Sequence, residues 1–137
     1  MSPLSENESN IFIGLGTNLG NKKENLKHAI EEIKKVAEVL ACSLIYETEP
    51  VGLANQPLFY NQMLEIRTLL NPEALLLVLK DIEKNMGRVS TIRNGPRIID
   101  CDILYYGKKV MQTEALEIIQ NVKIYDSWTI SNCWNSS

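Results

Sequence analysis

Apolar and polar residues follow two periods along this chain, one close to two and one close to 3.6. "IFIGLG" (11–16) is a short apolar run ending in glycines, which reads as a strand entering a turn. From Leu26 the apolar positions Ala29, Ile30, Ile33, Ala37 and Leu40 recur at helical spacing against a face of Lys and Glu, with Asn21 placed to cap the helix. Past Val39, "ACSLIYETEP" turns extended, and "PVGLANQP" has the Gly, Asn and Pro content of a loop. "LFYNQMLEIRTLL" sets Phe59, Met63 and Ile66 among polar residues and reads as a strand.

Asn71, Pro72 and Glu73 make a helix start: the amide caps free N–H groups, proline fits the first turn, and an acid suits the positive end of the dipole. Leu75, Leu79, Ile82 and Met86 form its apolar stripe and Gly87 closes it. Residues 98–106 are again extended, turning at "GKK" into a short strand near Val110. The order β-α-β-β-α-β predicts an α+β, ferredoxin-like sandwich, an antiparallel sheet with both helices on one face. The opposite face is left free.

Within the last long strand, "RIIDCDILYYG" places Ile99, Cys101 and Ile103 on one face and Asp100 and Asp102 on the other. The two carboxylates then stand roughly 6.6 Å apart along the strand. Asp is depleted in strands, and paired carboxylates raise each other's pKa unless a cation lies between them. Hard oxygen ligands of this kind suit Mg²⁺, which takes one or two protein carboxylates and completes its shell with water and phosphate. A pair of such ions is a recurrent phosphoryl-transfer device.

The chain has four arginines, and three of them, Arg88, Arg93 and Arg97, immediately precede these aspartates. Their planar donor forks match phosphate oxygens, so the cluster reads as a clamp for a polyphosphate and its metal. The plainer alternatives are a solvated acidic face, or acids and bases that only pair with each other. Glu83, one residue beyond the helix stripe, is either solvated or set to orient this loop or touch a ligand.

Composition narrows the classes. With 137 residues, 45% hydrophobic, 23% charged and a net charge of −3, the chain fits one ordinary domain and disfavours a general nucleic-acid binder. Three widely spaced cysteines without a CxxC pair suggest neither a disulfide framework nor a zinc site, and a reducing, cytoplasmic setting is expected. No apolar run reaches the length of a membrane span, and the polar opening 1–10 reads as a flexible tail. "GLGTNLG" lacks the spacing of a P-loop or a dinucleotide fingerprint and reads as a turn needing flexible backbone. His28, the single histidine, falls on the polar side of the first helix, which argues against nucleophilic catalysis.

The motifs "LGTNLGN", "YETEPVG", "QPLFYNQ", "MGR" and above all "GPRIIDCDILYYG" resemble, in order, those of the 6-hydroxymethyl-7,8-dihydropterin pyrophosphokinase family. The resemblance implies a ferredoxin-like pterin pyrophosphokinase domain over 11–118. It also implies transfer of pyrophosphate from ATP to the pterin in folate biosynthesis, with two Mg²⁺ ions and release of AMP. On that resemblance Asp100 and Asp102 are the metal ligands, and Arg88 and Arg97 are the catalytic arginines. Thr48, Pro50, Val51, Phe59 and Asn61 border the pterin, and Glu83, Arg93 and Ile103 belong to the ATP site. A fused or partnering folate-pathway enzyme is a further expectation.

The likeness fades over 119–137, "IQNVKIYDSWTISNCWNSS", where the family pattern has Pro-His-Pro, an arginine and an aromatic. Gln120 falls near the histidine, Asp126 or Ser127 near the arginine, and Trp128 near the aromatic. This divergent segment is expected to reflect a truncated or frame-shifted ending. A second reading is therefore a non-catalytic homologue that binds nucleotide or pterin without turnover, and a third is a plain interaction domain.

Overall fold

The computed structural model of the chain describes residues 11–49, 55–88 and 96–107, together with the backbone of 109–110 and 128–129. The 1–10 tail and nearly all of the 119–137 segment lie outside the described residues.

Strand β1 (Ile11–Thr17) leads into helix α1 (Lys22–Ile33), where the extended Asn21 accepts a hydrogen bond from the Glu24 N–H at 3.2 Å. Leu26, Ala29, Ile30 and Ile33 are its buried side chains. The expected stripe runs on to Ala37 and Leu40, but the helix stops at Ile33 in tight turns through Lys35 and Val36. Strand pairing overrides helical periodicity here. β2 (Glu38–Ser43) starts before the expected point and pairs with β4, Val39 opposite Ile66, while Leu40 falls at a register shift.

After β3 (Tyr46–Thr48) and β4 (Phe59–Arg67), Asn71 caps α2 (Pro72–Asn85) by accepting from the Ala74 N–H at 2.8 Å. Gly87, with φ 101°, ends that helix in a conformation that favours glycine. β5 (Asp100–Tyr106), β6 (Lys109–Val110) and β7 (Trp128–Thr129) follow.

The sheet order is β6-β5-β1-β4-β2-β7, with β3 also paired to β4, and every described pairing is antiparallel. Its inner four strands, β5-β1-β4-β2, are the fourth, first, third and second of the β-α-β-β-α-β order, so the fold is α+β and ferredoxin-like. The helices contact each other, α1 lies on β1 and β4, and α2 lies on β5. Alternation decides the rest: Ile11, Ile13 and Leu15 of β1, Leu64 and Ile66 of β4, and Cys101 and Ile103 of β5 enter the helix-facing core. Met63 and Leu104 form a smaller cluster, against which Phe12, Tyr46 and Tyr105 pack.

Cys101 is free and buried in that core. Cys42 is disulfide-bonded, which the count and spacing of the cysteines do not suggest, because disulfides follow proximity in space. The backbone of Trp128 pairs beside Ser43 on β2, at the sheet edge away from β5. No helix among the described residues is long and apolar enough to cross a membrane.

The core assignment has a direct test. Leu64 is 0% exposed, so Leu64→Ala should cost about 2–5 kcal/mol of stability in urea denaturation. Leu77→Ala, at a position 69% exposed, should stay within about 0.5 kcal/mol of the parent.

Candidate functional site

Antiparallel register fixes which residues meet on the face away from the helices, because directly opposed residues share a face. Asp100 lies opposite Gly16, Gly16 opposite Asn61, and Asn61 opposite Tyr46; in the next row Asp102 lies opposite Gly14, and Gly14 opposite Met63. The glycines put bare backbone between the aspartates and the Phe59–Asn61 side. A Cβ on Gly16 would come within 3.1 Å of Asn61 Oδ1 and 3.9 Å of Phe59 Cδ1. The expectation of a flexible glycine turn is thus corrected for this segment. Gly14 and Gly16 belong to β1, and only Gly20, with φ 69°, takes the left-handed conformation.

At the aspartates, β5 has β1 on one side, and β6 pairs only with Tyr105 and Tyr106 on the other. Side chains of α2 close the remaining edge. The Cys101 N–H donates to Glu83 Oε2 at 2.7 Å, and Lys80 Nζ donates to the Cys101 carbonyl at 3.1 Å, much as a neighbouring strand would. Glu83 is 7% exposed and also accepts from Lys80 Nζ at 3.0 Å and from Arg88 at 2.9 Å. A solvated Glu83 is therefore ruled out; this carboxylate is buried and fully partnered.

Arg88 turns from Glu83 to Asp100, donating to Oδ1 at 2.8 Å, while Arg97 approaches Asp100 Oδ2 at 3.6 Å. Asp102 has the weaker contact, Lys80 at 3.3 Å. Burial, reinforced by the negative charge of Asp100 and opposed by Lys80, pushes the Asp102 carboxyl up to about 6.

Across the glycine floor, Asn61 Nδ2 donates to Thr48 Oγ1 at 2.6 Å, and Thr48 lies opposite Phe59 in the sheet. The Arg97 guanidinium carbon sits 5.5 Å from the centre of the Phe59 ring. The two sides are joined by Asn18, buried to 1% exposure and not singled out by the sequence. It exchanges hydrogen bonds with the backbone of Arg97, its N–H donating to the Arg97 carbonyl at 3.1 Å and its Oδ1 accepting from the Arg97 N–H at 2.9 Å. Its Nδ2 donates to Gln56 Oε1 at 2.8 Å and to the Pro57 carbonyl at 3.0 Å.

The structure thus brings together Thr48, Phe59, Asn61, Glu83, Arg88, Arg97, Asp100 and Asp102. Ile103 stands apart, its side chain buried in the helix-facing core. Pro50, Val51 and Arg93 lie outside the described residues. Among the described residues no three potential metal ligands cluster. Two adjacent carboxylates, with Asp102 pushed up by burial and by the charge of Asp100, are nonetheless a donor set that fits Mg²⁺, which leaves most of its shell to water and substrate phosphates.

Fold and site together define a ferredoxin-like α+β domain with an acidic, arginine-flanked site on the sheet face away from the helices. Residues 12–126 match the family model for 7,8-dihydro-6-hydroxymethylpterin-pyrophosphokinase (HPPK), and the chain belongs to that family. It is 45% identical over 114 residues to the "Folic acid synthesis protein fol1" of Pneumocystis carinii, covering 82% of this chain and 15% of that protein. It is 38% identical over 108 residues to the 2-amino-4-hydroxy-6-hydroxymethyldihydropteridine pyrophosphokinase of Aquifex aeolicus (strain VF5), covering 79% and 68%. The crystal structure of wild-type Plasmodium falciparum HPPK-DHPS shares the fold, with a TM-score of 0.57 at 20% identity over 86% of this chain and 33% of that one.

The raised Asp102 pKa carries a stability consequence. Between the ordinary value of 3.8 and about 6, the folded chain holds a proton that the unfolded chain has released, so stability falls as pH rises through that window. Asp102→Asn should therefore stabilise the metal-free protein at pH 8, on the order of 1 kcal/mol, and change it little at pH 4. Calorimetry in a chelator reads both, and a lower unfolding temperature at pH 8 would show that the Lys80 contact outweighs burial.

Proposed function

We propose that this chain transfers pyrophosphate from ATP to the hydroxymethyl oxygen of 6-hydroxymethyl-7,8-dihydropterin, releasing AMP, as a step of folate synthesis. Membership of the HPPK family supports the reading. The observation that carries it is the sheet register, which sets Asp100 and Asp102 across the glycine floor from Asn61 and the neighbouring Phe59. Metal-and-phosphate chemistry on one side then faces a slot for a flat heterocycle on the other.

Asp100 and Asp102 would hold Mg²⁺, in one or two ions, and when bound the metal supplies charge neutralisation for the transferring phosphates. Arg88, held between Glu83 and Asp100, and Arg97 present guanidinium forks to phosphate oxygens and stabilise charge that develops during transfer. Arg97 also lies over Phe59, so a pterin ring stacking there meets this guanidinium at the boundary of the two subsites.

Asn61 gives its Nδ2 to Thr48, and among the described residues nothing donates to its Oδ1, which is left to accept a ring N–H of the pterin. Pro50 and Val51 would border the same ring, and Arg93 and the backbone of Ile103 the nucleotide. Among the described residues three carboxylates, Glu83, Asp100 and Asp102, meet three cations, Lys80, Arg88 and Arg97, so that group of side chains is close to neutral. Each added Mg²⁺ then gives it a surplus that a polyphosphate balances. We place this domain over 11–118 and the divergent segment over 119–137. The chain spans only 15% of the fol1 protein, and we propose that it acts fused to, or beside, another enzyme of folate synthesis.

The test is to give the purified chain the pterin, ATP and Mg²⁺ and to follow AMP and pyrophosphorylated pterin. Both products should form, and Asp100→Asn and Asp102→Asn should each abolish them without changing the circular dichroism spectrum. Saturable ligand binding without AMP would return the non-catalytic reading. Arg97→Ala should lower kcat by roughly 10²-fold while changing the pterin KM little. The reverse pattern in steady-state kinetics would make Arg97 a binding residue.

A further inference from the structure

Lys80 reaches the site from α2, around the edge of β5 that β6 leaves open. Its ammonium has three acceptors: Glu83 Oε2 at 3.0 Å, the Cys101 carbonyl at 3.1 Å and Asp102 Oδ1 at 3.3 Å. The first two are independent of Asp102 and hold the ammonium beside the acidic pair. The third is the longest, and the side chain is 43% exposed, so releasing it leaves the charge partly in water. The aspartates are supported unequally. Asp100 has Arg88 at 2.8 Å and Arg97 at 3.6 Å, whereas Lys80 is the one cation paired with Asp102 among the described residues.

We propose that Lys80 is a tethered counter-ion of Asp102, which competes with a divalent cation for that carboxylate and so weakens metal binding to the nucleotide-free site. This rests on the metal role given above to Asp100 and Asp102. When a cation takes Asp102, Lys80 keeps Glu83 and the Cys101 carbonyl and remains as a fixed positive charge close to the metal. Two positive groups then face the ligand side, and only an anionic ligand relieves their repulsion. The cation is therefore held more tightly together with a polyphosphate than alone, and Lys80 sets that difference.

The experiment titrates Mn²⁺ into protein free of nucleotide and pterin and counts unbound metal by electron paramagnetic resonance. Lys80→Met should bind Mn²⁺ roughly fivefold more tightly than the parent, and Lys80→Arg, which keeps the charge, should stay close to it. In an Asp102→Asn background Lys80→Met should make no difference. Lys80→Gln serves as a second uncharged variant and should match Lys80→Met if both show the parent's circular dichroism spectrum. Unchanged or weaker binding in the uncharged variants, an equal gain in the Asp102→Asn background, or binding by no protein in the set overturns the competition. Failure of the pyrophosphokinase reading would appear separately, as parent protein that binds Mn²⁺ and makes no AMP.

Discussion

A single buried carboxylate holds the site together. Glu83 closes the exposed edge of β5 by accepting the Cys101 N–H, and the same two oxygens take Lys80 and Arg88. A carboxylate this deep is tolerable only when its lone pairs are filled, and breaking a buried pair from one side costs about 3–5 kcal/mol. The registration of α2 against β5, the height of Lys80 beside Asp102 and the aim of Arg88 at Asp100 thus all follow from one side chain. The acidic pair is arranged by a residue on the other layer of the sandwich.

The two layers divide the work. On the helix side, Ile11, Ile13, Leu15, Leu64 and Ile66 interlock with Leu75 and Leu79 and fix the sheet. On the far side β1 is reduced to backbone at Gly14 and Gly16, and at Gly16 even a methyl group would stand only 3.1 Å from Asn61 Oδ1. The strand that forms the centre of the core is therefore also the floor of the site. Leu15 holds that strand down, and Gly16 leaves the space above it.

Local signals were readable in the sequence and crossed over into the structure at Asn21, Asn71 and Gly87, where one residue's chemistry decides a helix end. The split of β5 into an apolar face and an acidic face was equally legible, since alternation along one strand needs no knowledge of its neighbours. What could not be read depends on partners distant in the chain. The end of α1 is set by β2 pairing with β4, the purpose of Gly14 and Gly16 appears only in register with Asp102 and Asp100, and the burial of Glu83 comes from the strand edge it covers. The spacing of Lys80 and Glu83 at i, i+3 was the available hint, and it is too common on helix surfaces to have singled them out.

Asn18 gives the site a width gauge. One side chain grips the backbone at Arg97 and, through its amide nitrogen, the Gln56–Pro57 segment that leads into Phe59. The separation of the two walls is thereby a property of a single buried amide and not of the connections that continue from either wall. Related chains could lengthen, shorten or rewrite those connections while the slot kept its calibre, and a change at Asn18 itself would detune both walls together.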